Sequence, residues 1–492
     1  MISAHLPALQ VILPLLSAPI CLVFRRSYPA WMLSLLVSLI SFAIAAILLQ
    51  RVLGGDPITY LLGDWAAPWG IEYKVDVLSA FVLFLVSGIG SVIMVFAPHS
   101  IASEVPEERI YLFYTMYLLT LSGLLGMTIT GDVFNLFVFL EISSLSTYVM
   151  ISLGNSARAM TAAFRYLILG TVGATFYVIG VGMMYQMTGT LNMADLATRL
   201  PMVAETRTIL VALSFLTIGI GLKIGLFPIH GWLPNAYAFA PSIVTAFLAA
   251  TATKVAMYVL LRIYFTVFGV KIFQTLPIDE VLLILGVITI LAMSTVAIFQ
   301  INAKRLLAYS SVAQIGYMII GISMITTTGL TATILHLFNH ALIKGALFLA
   351  LAGIFYRIKS IKIENMAGLG RAMPYTMAAF LIAGLSLIGV PLTVGFVSKW
   401  YLILGALEKD WWLVAGLILL SSLLAVIYLW KVIETAYFKN RAESAPPIRE
   451  VPVSMLLPMW VLVAANIYFG LNTELTVGTA MSAASSLIQG TP

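Results

Sequence analysis

TGDVFNLFVFLEISSLSTYVMISLG, residues 130–154, carries Glu141 about ten residues into a stretch that is otherwise uncharged after Asp132. Twenty helical residues rise about 30 Å, which matches the hydrocarbon thickness of a bilayer. The segment therefore reads as a membrane-crossing helix with a charge near its middle. A charge at that depth costs about 2.5–3.5 kcal/mol or more, so Glu141 is expected to face a cavity or a partner rather than lipid.

Outward from this segment the same pattern continues to both ends of the chain. The 492 residues are 61% hydrophobic and 9% charged, whereas a soluble domain carries about a quarter charged residues. Spans are expected at about 7–24, 30–50, 77–97, 110–129, 132–153, 161–187, 209–227, 241–267, 281–300, 306–325, 331–356, 373–407 (interrupted), 411–438 and 451–471. These make an all-α integral membrane protein of about 14 transmembrane helices, with little chain left for a soluble domain. The net charge of +6 is scattered and forms no nucleic-acid-binding run. Instead it reports topology. With the N-terminus outside, 13 Lys and Arg fall in inner loops, from Arg25 to Arg449, and 6 fall in outer loops, from Arg51 to Lys409. That bias predicts both termini outside the membrane, which is expected to be a prokaryotic cell membrane. Cys21 is the single cysteine, so no intrachain disulfide or thiolate cluster is expected. The first span lacks a basic leader and a cleavage site and reads as retained.

Two spans are broken by proline and glycine. LKIGLFPIHGWLPNAYAFAPS (222–242) holds Pro228, Pro234 and Pro241; LSLIGVPLTVGFVSKW (385–400) holds Gly389, Pro391 and Gly395. Proline removes a helix donor, and freed backbone at membrane depth is tolerated only where protein or water satisfies it. A lysine accompanies each break, Lys223 in one and Lys399 in the other. Paired interruptions of this kind suggest an inverted repeat. The chain divides as 1–109 (helices 1–3), 110–267 (first five-helix repeat, helices 4–8), 281–438 (second repeat, helices 9–13) and 451–492 (helix 14 and tail), with helices 7 and 12 interrupted.

Seven of the 26 basic residues fall inside spans, among them Lys223, Lys254 and Lys399. A buried ion pair accounts for Glu141 and one lysine, not for the other cations. Lysine and glutamate whose solvation and partners change can take up and release protons. TATILHLFNHALIKGALFLALAG (331–353) places His336, His340 and Lys344 on one helical face. Histidines at i and i+4 also occur in zinc sites, but no HExxH glutamate accompanies them, so no metal is expected. Imidazole both donates and accepts, which suits a proton path. His230, in the first break, reads equally as a gate at the inner mouth or as a helix cap. Arg165 and Arg262 are expected to snorkel to the interface. Lys431 and Glu434 are expected to pair with each other, and Asp132 and Asp76 to sit at helix N-termini.

The motifs TGDVFNLFVFLE (130–141), LKIGLFPIHGWLPNAYAFAP (222–241), KRLLAYSSVAQIGY (304–317), HLFNHALIKGALFL (336–349) and GFVSKW (395–400) resemble the antiporter-like subunits of the Mrp Na⁺/H⁺ antiporter and complex I superfamily. The resemblance covers nearly the whole chain and is closest to the D-type component of Mrp antiporters. GVPLTVGFVSKWYL (389–402) is also similar to the matching segment of membrane-bound hydrogenase subunits. The resemblance implies fourteen core helices, inverted repeats and a mid-plane proton path. By matching motif, Glu141 and Lys223 form the coupling pair, Lys254 is the central relay, His336 and His340 continue it, and Lys399 ends it. It further implies partner membrane subunits in a hetero-oligomer. Cofactors are not expected, since the chain has no P-loop or dinucleotide fingerprint. The alternative is an antiporter-like pumping subunit of a redox-driven complex, and a scaffold without transport is a third reading.

Overall fold

In water-free hydrocarbon every backbone group needs an internal partner, so apolar stretches of this length must be helical. The structure, a computed structural model, describes residues 2–441 and 447–490. Among these, 13 helices are long and apolar enough to cross a membrane. Spans 1 to 4 are Leu6–Phe24, Ser27–Leu53, Val77–Glu104 and Glu107–Ile129. Spans 5 and 6 are Val133–Ser152 and Ala157–Thr188, and span 7 is Arg207–Ile224 with the short second half Leu233–Phe239. Span 8 is Ser242–Phe268; spans 9 to 11 are Ile278–Ile298, Ala303–Ser323 and Thr327–Ile358. Span 12 comes in two pieces of 15 residues, Pro374–Ile388 and Val394–Glu408. Spans 13 and 14 are Trp412–Phe438 and Val453–Leu471. With the broken span the total is fourteen, as the sequence suggested.

Spans 3, 4, 8, 10 and 11 are enclosed by the others, whereas 6, 9, 13 and 14 expose most of their length. Helices that are apolar all round belong either inside such a bundle or against lipid. Lys254, His336, His340 and Lys344 sit on the enclosed helices, Lys223 and Lys399 at the two breaks, and Glu141 on span 5.

The two halves repeat the same local backbone. Val133 N–H donates to Leu191 C=O, and Met193 N–H to Gly131 C=O; Ala303 N–H donates to Ile361 C=O, and Ile363 N–H to Ile301 C=O. All four residues recur at one constant spacing along the chain, that from Val133 to Ala303. Asp132 and Asn302 begin spans 5 and 10, each accepting backbone N–H bonds of its helix's first turn. Spans 6 and 11 have 32 residues each, capped by Ser156 and Thr326. Both breaks end in the same C-cap. Gly225 (φ 78°) donates to Gly221 and Leu222 while Leu226 reaches back to Gly221; Gly389 (φ 97°) donates to Leu385 and Ser386 while Val390 reaches back to Leu385. A left-handed residue with this double return closes a helix, and glycine alone adopts it without Cβ strain.

Four features depart from the sequence reading. Residues 474–489, left in the tail, form a helix packed on spans 11 and 3; its face of Thr, Ala and Ser is too polar to register as a span. A short hairpin, β1 (Ile58–Leu61) with β2 (Glu72–Val75), covers the end of span 4 through a bridge from Tyr73 to Thr130. Lys431 does not pair with Glu434: its Nζ donates to the Ile298 and Gln300 carbonyls at 3.2 and 3.0 Å. The last carbonyls of a helix lack internal partners and attract a cation. Arg262 does not snorkel either; it is buried and paired with Asp76.

Candidate functional site: a file of buried lysines and histidines

Lys223 lies two residues before the Gly225 cap, where the broken helix presents the negative end of its dipole. Its Nζ donates to Ser144 Oγ at 2.5 Å and Tyr148 OH at 3.2 Å, with Glu141 Oε1 4.0 Å away. Glu141, Ser144 and Tyr148 stand at i, i+3 and i+7 on span 5, so one helical face supplies all three partners. Tyr166 packs edge-on against Tyr148 and stacks on Trp232 at 3.8 Å, and Trp232 Nε1 donates to Leu222 C=O at 2.7 Å. This staple ties the break to the turn that carries Lys223.

A cavity of about 30 Å³ beside Lys223 is lined by Ser143, Ser144, Thr147, Ala252 and Ala256. At about 10–15 Å³ per water it has room for about two, and its lining spans Lys223 and, on span 8, Ala252 and Ala256. There the helix is interrupted at Thr251 (φ −123°, ψ −57°), and fully buried Lys254 donates to the Ala249 carbonyl and, at 3.3 Å, to Thr253 Oγ1.

His336 and His340 stack one turn apart on span 11, with ring centroids 5.8 Å apart. His336 Nδ1 meets Ser398 Oγ at 2.9 Å, while His336 Nε2 and both nitrogens of His340 have no protein partner. Lys399 follows. Its Nζ donates to the Leu387 and Ile388 carbonyls at 3.0 and 2.7 Å and to Ser422 Oγ at 2.9 Å, and it lies 5.1 Å from the Tyr317 ring centre. Each lysine at a break thus meets the C-terminal end of a half-helix. Lys223 belongs to that helix; Lys399 reaches back from the next one. Lys344 donates to Leu307 C=O at 2.9 Å and to Ser310.

His230 stands apart from this file. Within the break it stacks near Phe227 at 5.5 Å and faces Tyr309 at 6.4 Å, with Nδ1 unpartnered. Among the described residues no hydrogen bond or ion pair joins it to Lys223.

Several partners escaped the sequence reading. Ser144 and Tyr148 were legible in principle, since they share the Glu141 face. Ser398 is one position before Lys399, but Ser310, Tyr317 and Ser422 come from spans 10 and 13 and carry no local signal. Asn339 Oδ1, like His336 Nε2 and both His340 nitrogens, is buried without a protein partner. A polar atom so left costs about 1–3 kcal/mol, and the usual remedy is ordered water. Among the described residues no three His, Cys, Asp or Glu side chains come together as metal ligands.

Fold and site together define a polytopic membrane protein whose interior holds buried lysines and histidines. The chain belongs to the family described as "NADH:quinone oxidoreductase/Mrp antiporter, TM", which matches residues 130–425. It is 42% identical to a protein of Desulforudis audaxviator named NADH-quinone oxidoreductase subunit N, over 96% of this chain and 97% of that one. To a protein of Alkalihalophilus pseudofirmus named as the D-type component of a Na⁺/H⁺ antiporter it is 30% identical, over 99% and 98%. A chain in the solved structure of the Mrp complex from Dietzia superposes with a TM-score of 0.91 at 25% identity, covering 100% of this chain and 98% of that one.

Proposed function

We propose that this chain is the proton-translocating subunit of a multisubunit cation/proton antiporter in the cell membrane, with both termini outside. The observation that carries the reading is the file itself: Lys223, Lys254, the His336–His340 pair and Lys399 are all buried, hydroxyls of Ser144, Thr253, Ser398 and Ser422 contact them, and His336 Nε2 and both His340 nitrogens are left without a protein partner. Protons enter by the first break, where His230 stands, reach Lys223 and pass by water to Lys254. They continue through the histidines to Lys399. The Glu141–Lys223 contact, at 4.0 Å, is the coupling element. Opening it leaves Lys223 with only the Ser144 and Tyr148 hydroxyls as side-chain partners. The repeats over 110–267 and 281–438 place one such break in each half. Na⁺ crosses elsewhere in the assembly, alongside partner membrane subunits, and the chain has no chemical active site of its own.

The second reading is a pumping module of a redox-driven complex, favoured by the 42% identity to the relative from Desulforudis audaxviator. Both readings use the same file and differ in what drives it. The purified native assembly, reconstituted into vesicles, is expected to move H⁺ in response to a Na⁺ pulse with no electron donor present. H⁺ movement only on adding a donor and acceptor would replace antiport with the redox reading.

Ser398→Ala removes the partner of His336 Nδ1. One hydrogen bond is worth about 0.5–1.5 kcal/mol, so transport is expected to slow about two- to tenfold with assembly unchanged. Initial rates of H⁺ movement, normalised to subunit content, measure this. An unchanged rate removes His336 from the path.

A further inference from the structure

Beyond the file, Arg262 forms a second buried ion pair. It lies two helical turns past Lys254 on span 8, about 12 Å along the axis, with Tyr258 halfway between them on the same face. Arg262 Nη2 pairs with Asp76, its Nε donates to Tyr258 OH at 2.9 Å, and Tyr258 OH donates to Thr128 C=O at 2.6 Å. From Arg262 to Phe268 the helix widens into a π-helix, a rare form often found at functional sites. Two cavities, about 340 and 260 Å³, flank the pair, and both are lined by Asp76, Arg262 and Leu487 of the C-terminal helix. Each has room for many waters. The space for water on the hairpin side therefore reaches the pair and, in the larger cavity, Tyr258, while Lys254 lines neither cavity.

A purely structural ion pair explains less. Asp76 already caps span 3 through a reciprocal bond with Ser79 and needs no arginine for that. Buried pairs add little net stability over an apolar replacement. A permanently charged guanidinium across a narrow passage does, however, repel protons, as positive charge does in selective pores.

We propose that Asp76 and Arg262, braced by Tyr258, form the gate that separates Lys254 from the hairpin-side water. This rests on the reading of Lys254 as a proton relay. In the closed state the arginine blocks the passage; when it swings from Asp76, the two cavities join and water reaches the Lys254 turn. Tyr258 is a positioning residue that holds the guanidinium across the passage.

The test uses membrane vesicles containing the complete assembly and measures the passive decay of an imposed pH gradient. Asp76→Asn with Arg262→Gln removes both charges; Asn keeps the shape of Asp, and Gln keeps a polar but shorter side chain than Arg. The leak is expected to rise on the order of tenfold, within the range of ordinary coupling between conformational states. Adding Lys254→Ala is expected to return it to the native level. A native leak in the double variant, or a leak that survives Lys254→Ala, overturns the gate. Should the double variant fail to assemble, Tyr258→Phe, which keeps the ring, is expected to show the same Lys254-dependent leak, and a native leak there overturns the gate equally. Lys254→Ala alone separates the two readings: loss of driven transport with an unaltered leak in the gate variants removes only the gate, whereas normal driven transport removes the relay and the gate with it.

Discussion

Lys223→Arg is expected to leave the subunit assembled and to lower proton transport about 100-fold. The ammonium of Lys223 is held by Ser144 and Tyr148, with Glu141 as its one carboxylate neighbour. Arginine keeps the positive charge that balances Glu141 but does not release a proton in any accessible pH range. A proton passing that point without a group to accept it faces at least the ~2.5–3.5 kcal/mol of a bare charge at the bilayer centre. At about 1.4 kcal/mol per tenfold, that is a factor of about 100. Glu141→Ala and Lys223→Ala are expected to abolish transport as well, but each also leaves its partner uncompensated. Lys223→Arg is the cleaner variant because a structural ion pair survives it. Normal H⁺ movement in Lys223→Arg vesicles would reduce Lys223 to a fixed counter-charge and end the relay reading.

The second large effect is on stability. A Cβ at Gly395 would fall 1.7 Å from the Ser386 carbonyl oxygen and 2.8 Å from its carbon, both backbone atoms. The same Ser386 receives the Gly395 amide at 3.3 Å and donates to Asn466 at 3.1 Å, so the two half-helices and span 14 meet there. Overpacking against backbone costs about 3 kcal/mol, and the contact has no flexible side chain to yield. Gly395→Ala is therefore expected to cut the yield of assembled subunit and lower the thermal midpoint of the solubilised complex. Gly416→Ala and Gly478→Ala, where nothing lies within 4 Å, are the controls and are expected to match the native protein. A native midpoint for Gly395→Ala would mean that the packing of the break is looser than described.

Much of the file was legible because the bilayer makes charge conspicuous. Glu141, Lys223, Lys254 and Lys399 are easily seen in spans that are otherwise apolar, and all three lysines are buried. Arg262 shows the limit of that reasoning. Its place near a span end fitted snorkelling, and only the fold brings Asp76, far away in sequence, against it. Lys431 failed for a related reason. Helical spacing offered Glu434, whereas packing offered two unpaired carbonyls at the end of span 9. The polar partners Ser310, Tyr317 and Ser422 come from other spans, and a hydroxyl in a membrane helix can bond its own backbone and so gives no hint of its neighbour.

Composition and periodicity alone determined the helical class, the number of spans and the two breaks. A hydrocarbon solvent forces apolar segments into helices, and proline and glycine interrupt them wherever they fall. Tertiary structure decided which charges meet and which stay single, and where room for water remains. Those depend on how helices distant in the chain rotate and pack against one another, which no local pattern encodes.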